Sequence, residues 1–254
     1  MQGHIAQSIG LTLAANARHQ GLAAARWPDA SVFLFCKHVR FVRRGTTAYA
    51  DPEQWLASTG SGAVLRVASR NNSGLGDRES VGFAGGGPLL IVPTGTQSAW
   101  WSDWQVGDSN AEDRRIWTVT YHETAPPPAP RQPPATAHDG KARLVRALDK
   151  AIAFASAQQM GFDDYLAKST RLLDAPEPLA DFYHPDIIPE GLMDLEHAQL
   201  FGCAAASWVF GGMGSWNDVW FQGDVRAEYD RVSDQLFSSI IDALVTATNS
   251  TLRP

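Results

Sequence analysis

A chain of 254 residues with 44% hydrophobic and 19% charged residues has the length and composition of a globular protein with one large domain or two ordinary ones. No apolar run approaches the roughly twenty residues that a membrane helix needs, so we expect no membrane span. The formal net charge is −6, and residues 139–254 carry nine Lys or Arg against seventeen Asp or Glu. Because an acidic surface repels phosphate, we expect no nucleic acid among the partners.

Two helices are predicted in the first half of the chain. Ile5, Ile9 and Leu13 recur at helical spacing, which predicts a helix over 5–25 rather than a secretory signal, since the first basic side chain follows the apolar stretch. A shorter helix is predicted at 51–58, where DPEQW puts a proline in the first turn.

Strands are predicted between and after these helices. Short β-branched or aromatic runs bounded by turn residues lie at 32–42, 62–69, 87–95 and 114–123. In the last run Trp117, Val119 and Tyr121 alternate with polar residues, which predicts that its aromatic face points inward. The first half is therefore predicted to be a mainly antiparallel sheet with flanking helices.

A proline-rich segment separates this half from the next. Six of the thirteen residues at 125–137 are proline, which excludes a helix or central strand and predicts an extended spacer. After it the hydrophobic period changes to that of helices, which defines three units: an α+β domain over 1–124, a linker over 125–138 and an acidic α-helical domain over 139–254.

Four helices are predicted in the second half, as a small bundle. The first carries an apolar stripe and ends near Gly161, the second begins at FDDY, and the third runs from Pro189 through Phe210. The fourth is predicted to begin with Asp224 as its cap. The stripes of the first and last helices are Leu144, Val145, Leu148, Ile152 and Ala155, and Tyr229, Val232, Leu236, Ile240 and Leu244.

The segment 181–197 has the highest density of groups that could perform acid–base or metal chemistry. Its candidates are His184, Asp186, Glu190 and His197, since imidazole and carboxylate are ligands of divalent ions. The spacing is not that of a metalloprotease helix, and the alternative is a loop with solvated acids. The glycine-rich pieces at 71–77 and 84–90 match no phosphate-binding motif.

Tryptophan is unusually abundant, with nine residues in the chain. Exposed tryptophans act as anchors at interfaces or stack on ligands, whereas the alternative is that these rings belong to the core. The predicted ligand- or partner-binding residues lie in two groups: Trp100, Trp101 and Trp104, and Trp216, Asn217, Asp218 and Trp220.

No catalytic motif is complete, so the sequence favours a non-enzymatic protein that binds a protein partner or a small ligand through tryptophan-rich surfaces, in the manner of an immunity or adaptor protein. The alternative is a metal-assisted hydrolase that uses segment 181–197. We expect no cofactor, and a homo-oligomer is a further alternative. Cys36 and Cys203 lie in apolar stretches and are predicted to be buried thiols, which favours a cytoplasmic protein.

Overall fold

The computed structural model describes residues 1–68, 78, 88–126, 132–211 and 214–253. The glycine-rich piece at 71–77, most of the one at 84–90 and the centre of the proline-rich linker lie outside these residues. Within the described residues, no helix has both the length and the apolar content needed to cross a membrane.

A six-stranded mixed sheet forms the centre of the first half, which confirms the predicted α+β class. Its strands stand in the order β2-β1-β6-β5-β4-β3, and only β1 and β6 run parallel among these five pairings. The sheet is therefore mainly antiparallel, as predicted. The strands are β1 (Cys36–Arg43), β2 (Thr46–Tyr49), β3 (Ala63–Val67), β4 (Leu89–Pro93), β5 (Ala99–Val106) and β6 (Trp117–Thr124).

The first strand begins later than predicted, because a short 3-10 turn at Ser31–Phe33 precedes it. Strands β2 and β5 were not among the predicted runs. The former has only four residues, and the latter has charged and amide side chains within it, so neither shows a continuous apolar run. The predicted inward face of β6 is confirmed for Val119 and Tyr121, which are both fully buried.

Two helices of the described part of the first half contact the sheet. Helix α1 (Gly3–His19) ends six residues before the predicted boundary. Gly21 there adopts a φ of 72°, and the amide of Leu22 donates to the carbonyl of Ala17 at 2.8 Å, as in a Schellman stop. Helix α2 (Pro52–Ala57) begins as predicted, with the Asp51 carboxylate accepting from the amide of Gln54.

Among the described residues of the second half there are four α-helices: α3 (Ala137–Ala157), α4 (Asp163–Thr170), α5 (Leu195–Ala206) and α6 (Gly223–Asn249). Two predicted starts were wrong. Helix α5 begins at Leu195 and not Pro189, because the Asp194 carboxylate caps it, and Gln222 rather than Asp224 is the N-cap residue of α6. The stripe of α6 is confirmed, since all five of its predicted residues are buried.

The two halves of the chain share one buried cluster. Asn249 of α6 holds Leu65 of β3 through two hydrogen bonds of 2.7 and 2.9 Å. Asn16 of α1 donates to Thr251 and accepts from the amide of Ala63, at 2.9 and 2.8 Å. These buried and partly buried bonds join residues 249–251 to the sheet and to the first helix. The division into domains at 125–138 stays a prediction.

Candidate functional site

A cavity of about 360 Å³ lies between helix α4, helix α5 and the segment 177–183. This volume falls within the range of small-molecule sites, which is roughly 300–1,000 Å³. We call this cavity the interhelix pocket. Its lining is formed by Met1, Tyr165, Lys168, Ser169, Leu172, Glu177, Pro178, Ala180, Asp181, Phe182, Tyr183, Gly202, Ala205 and Ala206.

One face of helix α4 and of the turn after it forms the first wall. Tyr165, Lys168, Ser169 and Leu172 have the spacing i, i+3, i+4 and i+7, so they point to the same side. The hydroxyl oxygen of Ser169 lies 2.6 Å from that of Ser207, which follows α5. This buried contact links the first wall to the second.

Helix α5 forms the second wall with small residues. Gly202, Ala205 and Ala206 again share one helical face, and their small size leaves the space that the pocket occupies. A β-carbon on Gly202 would lie 2.4 Å from the carbonyl oxygen of Pro178. The glycine is therefore needed for the close approach of the third wall.

The third wall is the irregular segment 177–183. Pro176 and Pro178 prevent a continuous helix here, and side chains of the neighbouring helices hold the chain that leads into it. Gln199 donates to the carbonyl of Ala175 at 3.0 Å, and Lys141 donates both to Gln199 at 2.7 Å and to the carbonyl of Leu173 at 3.2 Å. The wall is thus attached to α3 and α5.

Aromatic contacts fix the end of this wall. The buried ring of Phe182 meets that of Phe201 edge to face at 5.3 Å between centroids. The hydroxyl of Tyr183 donates to the carbonyl of Met1 at 2.8 Å. Partial burial raises the pKa of both Tyr183 and Tyr165, and the nearby Tyr165 raises that of Tyr183 further. Both phenols stay protonated at neutral pH and can donate hydrogen bonds.

Two of the predicted catalytic residues lie beside the interhelix pocket and are joined through Ser31. Nδ1 of His184 lies 2.8 Å from the Ser31 hydroxyl, and the amide of Ser31 donates to the Asp186 carboxylate at 2.7 Å. The Ser31 hydroxyl also donates to this carboxylate. Burial lowers the pKa of His184, and the charge of Asp186 opposes the shift. Serine stands between acid and histidine here, whereas in a catalytic triad the histidine stands in the middle.

The other two predicted catalytic residues do not join this group. His197 is bound at 2.8 Å to Asp194, the cap of α5, and Glu190 is exposed. Among the described residues, no group of three or more His, Cys, Asp or Glu side chains is placed to hold a metal ion. The metal-assisted hydrolase therefore gains no support from the arrangement of 181–197.

The first predicted tryptophan group lies on strand β5 and divides between core and surface. Trp100 is 2% exposed and packs against Phe41. Trp101 is half-buried on the opposite face of the sheet, stacked on His122 at 4.8 Å. Trp104 lies half-buried against Gly3 and Trp117. Only Trp101 and Trp104 retain surface that a partner could reach.

The second predicted group has structural contacts for most of its members. Trp216 is fully buried and donates to Ser233 at 2.7 Å. Asp218 completes a capping box with Ser215. Asn217 accepts from Arg78 at 3.3 Å, and the guanidinium of Arg78 also binds Asp230 and Asp234.

Trp220 differs from the rest of its group, because 72% of it is exposed. The guanidinium of Arg226 lies 5.4 Å from the centre of its ring. Among the predicted tryptophans it is the one whose surface is mostly open to solvent. A binding role for either predicted group stays a prediction.

Sequence reasoning missed most of the lining of the interhelix pocket, although Asp181 belongs to the segment that it selected. The sequence contains one indication of this pocket, which is the helical spacing of Tyr165, Lys168 and Leu172 together with the small residues of α5. This indication can be recognised only once α4 and α5 are known to be neighbours. Comparison with protein-family models, with curated proteins and with solved structures finds no match to this chain.

Proposed function

We propose that this protein binds a small, partly apolar ligand in the interhelix pocket, as a binding protein rather than an enzyme. The observation that carries the proposal is the pocket itself, an open cavity of about 360 Å³ that is lined by two helices and the segment 177–183. Its lining combines Leu172, Phe182 and alanines with a few polar groups, which is the composition of ligand sites. The Tyr165 hydroxyl supplies a donor that could orient an occupant, and the Tyr183 oxygen could accept from one, since its own hydrogen is donated to Met1.

The experiment is a titration with N-phenyl-1-naphthylamine, a neutral apolar fluorophore. We expect saturable binding of one molecule to the wild-type protein. Ala206→Phe places a ring inside the pocket and should abolish this binding. Ala153→Phe, on the exposed side of α3, is the matched control and should bind as the wild type does. Absence of saturable binding to the wild type, or full binding by a folded Ala206→Phe variant, would show the proposal to be wrong.

A second candidate function is contact with a protein partner, and the exposure of Trp220 favours it. Large exposed aromatic side chains are frequent anchors of interfaces, and this one lies beside the start of helix α6. If the partner is a second copy of the chain, the wild type should sediment as a concentration-dependent oligomer and Trp220→Ala as a monomer. A wild type that stays monomeric at high concentration would contradict self-association through this side chain.

A further inference from the structure

Three charged side chains line the interhelix pocket, and they stand on two different walls. Lys168 belongs to the wall of α4, whereas Glu177 and Asp181 belong to the segment opposite. All three are exposed, and in the part of the chain that the structure describes none of them forms an ion pair. The mouth of an apolar pocket thus carries one cationic and two anionic groups that do not pair with one another.

We infer that the ligand is zwitterionic, with an ammonium group, a carboxylate and an apolar body, as in a free hydrophobic amino acid. This inference rests on the proposed function. The carboxylate would lie toward Lys168 and the ammonium toward Glu177 and Asp181. The body would enter between Tyr165, Phe182 and Leu172.

The charges argue against the simpler ligand classes. A purely anionic ligand would be attracted by one ammonium group but repelled by two carboxylates. A purely cationic ligand would be repelled by Lys168. A neutral ligand would use none of the three groups. Only a ligand with both charges finds an opposite partner on each wall.

The size of the effect follows from exposure. Because the three side chains lie at the rim in high dielectric, each charge contact contributes little, and a ligand that lacks one charge should bind about two- to fivefold more weakly. The preference should shrink as ionic strength rises, since exposed charges are screened.

The test compares four probes that share a phenyl body: phenylalanine, 2-phenylethylamine, 3-phenylpropionate and 3-phenyl-1-propanol. Each is measured at low salt by displacement of N-phenyl-1-naphthylamine from the full-length protein. We expect phenylalanine to bind most tightly and the alcohol least. Lys168→Gln should abolish the preference of the protein for phenylalanine over 2-phenylethylamine. Asp181→Asn should reduce the preference of the protein for phenylalanine over 3-phenylpropionate. Arg171→Gln, an exposed charge outside the lining, is the control and should leave both preferences intact.

The outcomes separate the inference from the proposed function. If the fluorophore binds in the pocket but the four probes bind equally, or if either singly charged probe binds best, the inference of a zwitterionic ligand is wrong, whereas the proposed ligand pocket is still supported. If both preferences keep their wild-type size, the one over the amine in Lys168→Gln and the one over 3-phenylpropionate in Asp181→Asn, the inference is also wrong. If the fluorophore itself fails to bind, both fall.

Discussion

The close approach of Gly202 to Pro178 gives a sharp test of how the interhelix pocket is built. In the substitution Gly202→Ala the new β-carbon would lie 2.4 Å from a backbone oxygen, and backbone cannot rotate away as a side chain can. The matched control is Gly140→Ala in α3. There the new methyl meets the end of the Leu200 side chain at 2.7 Å, which can change its rotamer.

The expected magnitude comes from the difference between the two variants. Each replaces a helical glycine by alanine and gains about 1 kcal/mol of helix propensity, so this gain cancels in the comparison. Forcing a methyl group into a packed contact costs about 1–3 kcal/mol. We therefore expect Gly202→Ala to be less stable than Gly140→Ala by about 1–3 kcal/mol.

Urea unfolding at 25 °C, followed by circular dichroism and tryptophan fluorescence, measures both variants. The urea concentration at the unfolding midpoint should be lower for Gly202→Ala than for Gly140→Ala, and the dependence of the unfolding free energy on urea should be the same. Binding of N-phenyl-1-naphthylamine should weaken in the same variant, because the third wall must move away from α5. Equal stabilities of the two variants, or a Gly202→Ala variant more stable than the wild type, would refute the packing of segment 177–183 on α5.

Three further predictions follow from burial. Trp216→Ala should cost about 3–5 kcal/mol in urea unfolding because it empties a fully buried site, whereas Trp220→Ala should stay within about 0.5 kcal/mol. Burial lowers the pKa of His4 to about 4, below its ordinary 6.5, so the unfolded state takes up the proton first. His4 should therefore contribute a fall in stability of at most about 3 kcal/mol between about pH 6.5 and pH 4, and His4→Leu, but not His138→Leu at an exposed site, should remove this contribution. Burial raises the pKa of Cys36 to about 11 and of Cys203 to about 12, so iodoacetamide at pH 8 should label neither thiol before denaturation, as mass spectrometry would show.

Much of the fold could be predicted because most of the long elements carry a clean period. The stripe of α6 from Tyr229 to Leu244 and the inward face of β6 follow directly from spacings of 3.6 and 2 residues. The boundaries were less certain, since they depend on single caps. Asp194 is a residue type that caps helices, but the sequence alone did not show that the helix begins after Asp194 rather than at Pro189.

The candidate site was harder to predict, because its walls come from different parts of the chain. The sequence directed attention to tryptophans, yet Trp100 and Trp216 are core residues and sequence alone does not distinguish a buried ring from an exposed one. The pocket depends instead on small residues at 202–206 that have no chemical signature. An empty space between elements is a property of their packing, which a one-dimensional pattern does not contain.

The position of the interhelix pocket has a consequence for the whole chain. Its third wall is bonded to the N-terminal half through Tyr183 and Met1, and the next residues are bonded there through His184, Asp186 and Ser31. The other two walls belong to the helical half, which shares one core with the sheet. An occupant would therefore hold together elements from both halves, and opening either half would release it. Since a ligand stabilises the folded state by about 2.7 kcal/mol at a hundred times its Kd, occupancy should raise the unfolding temperature in one cooperative transition rather than that of one half alone.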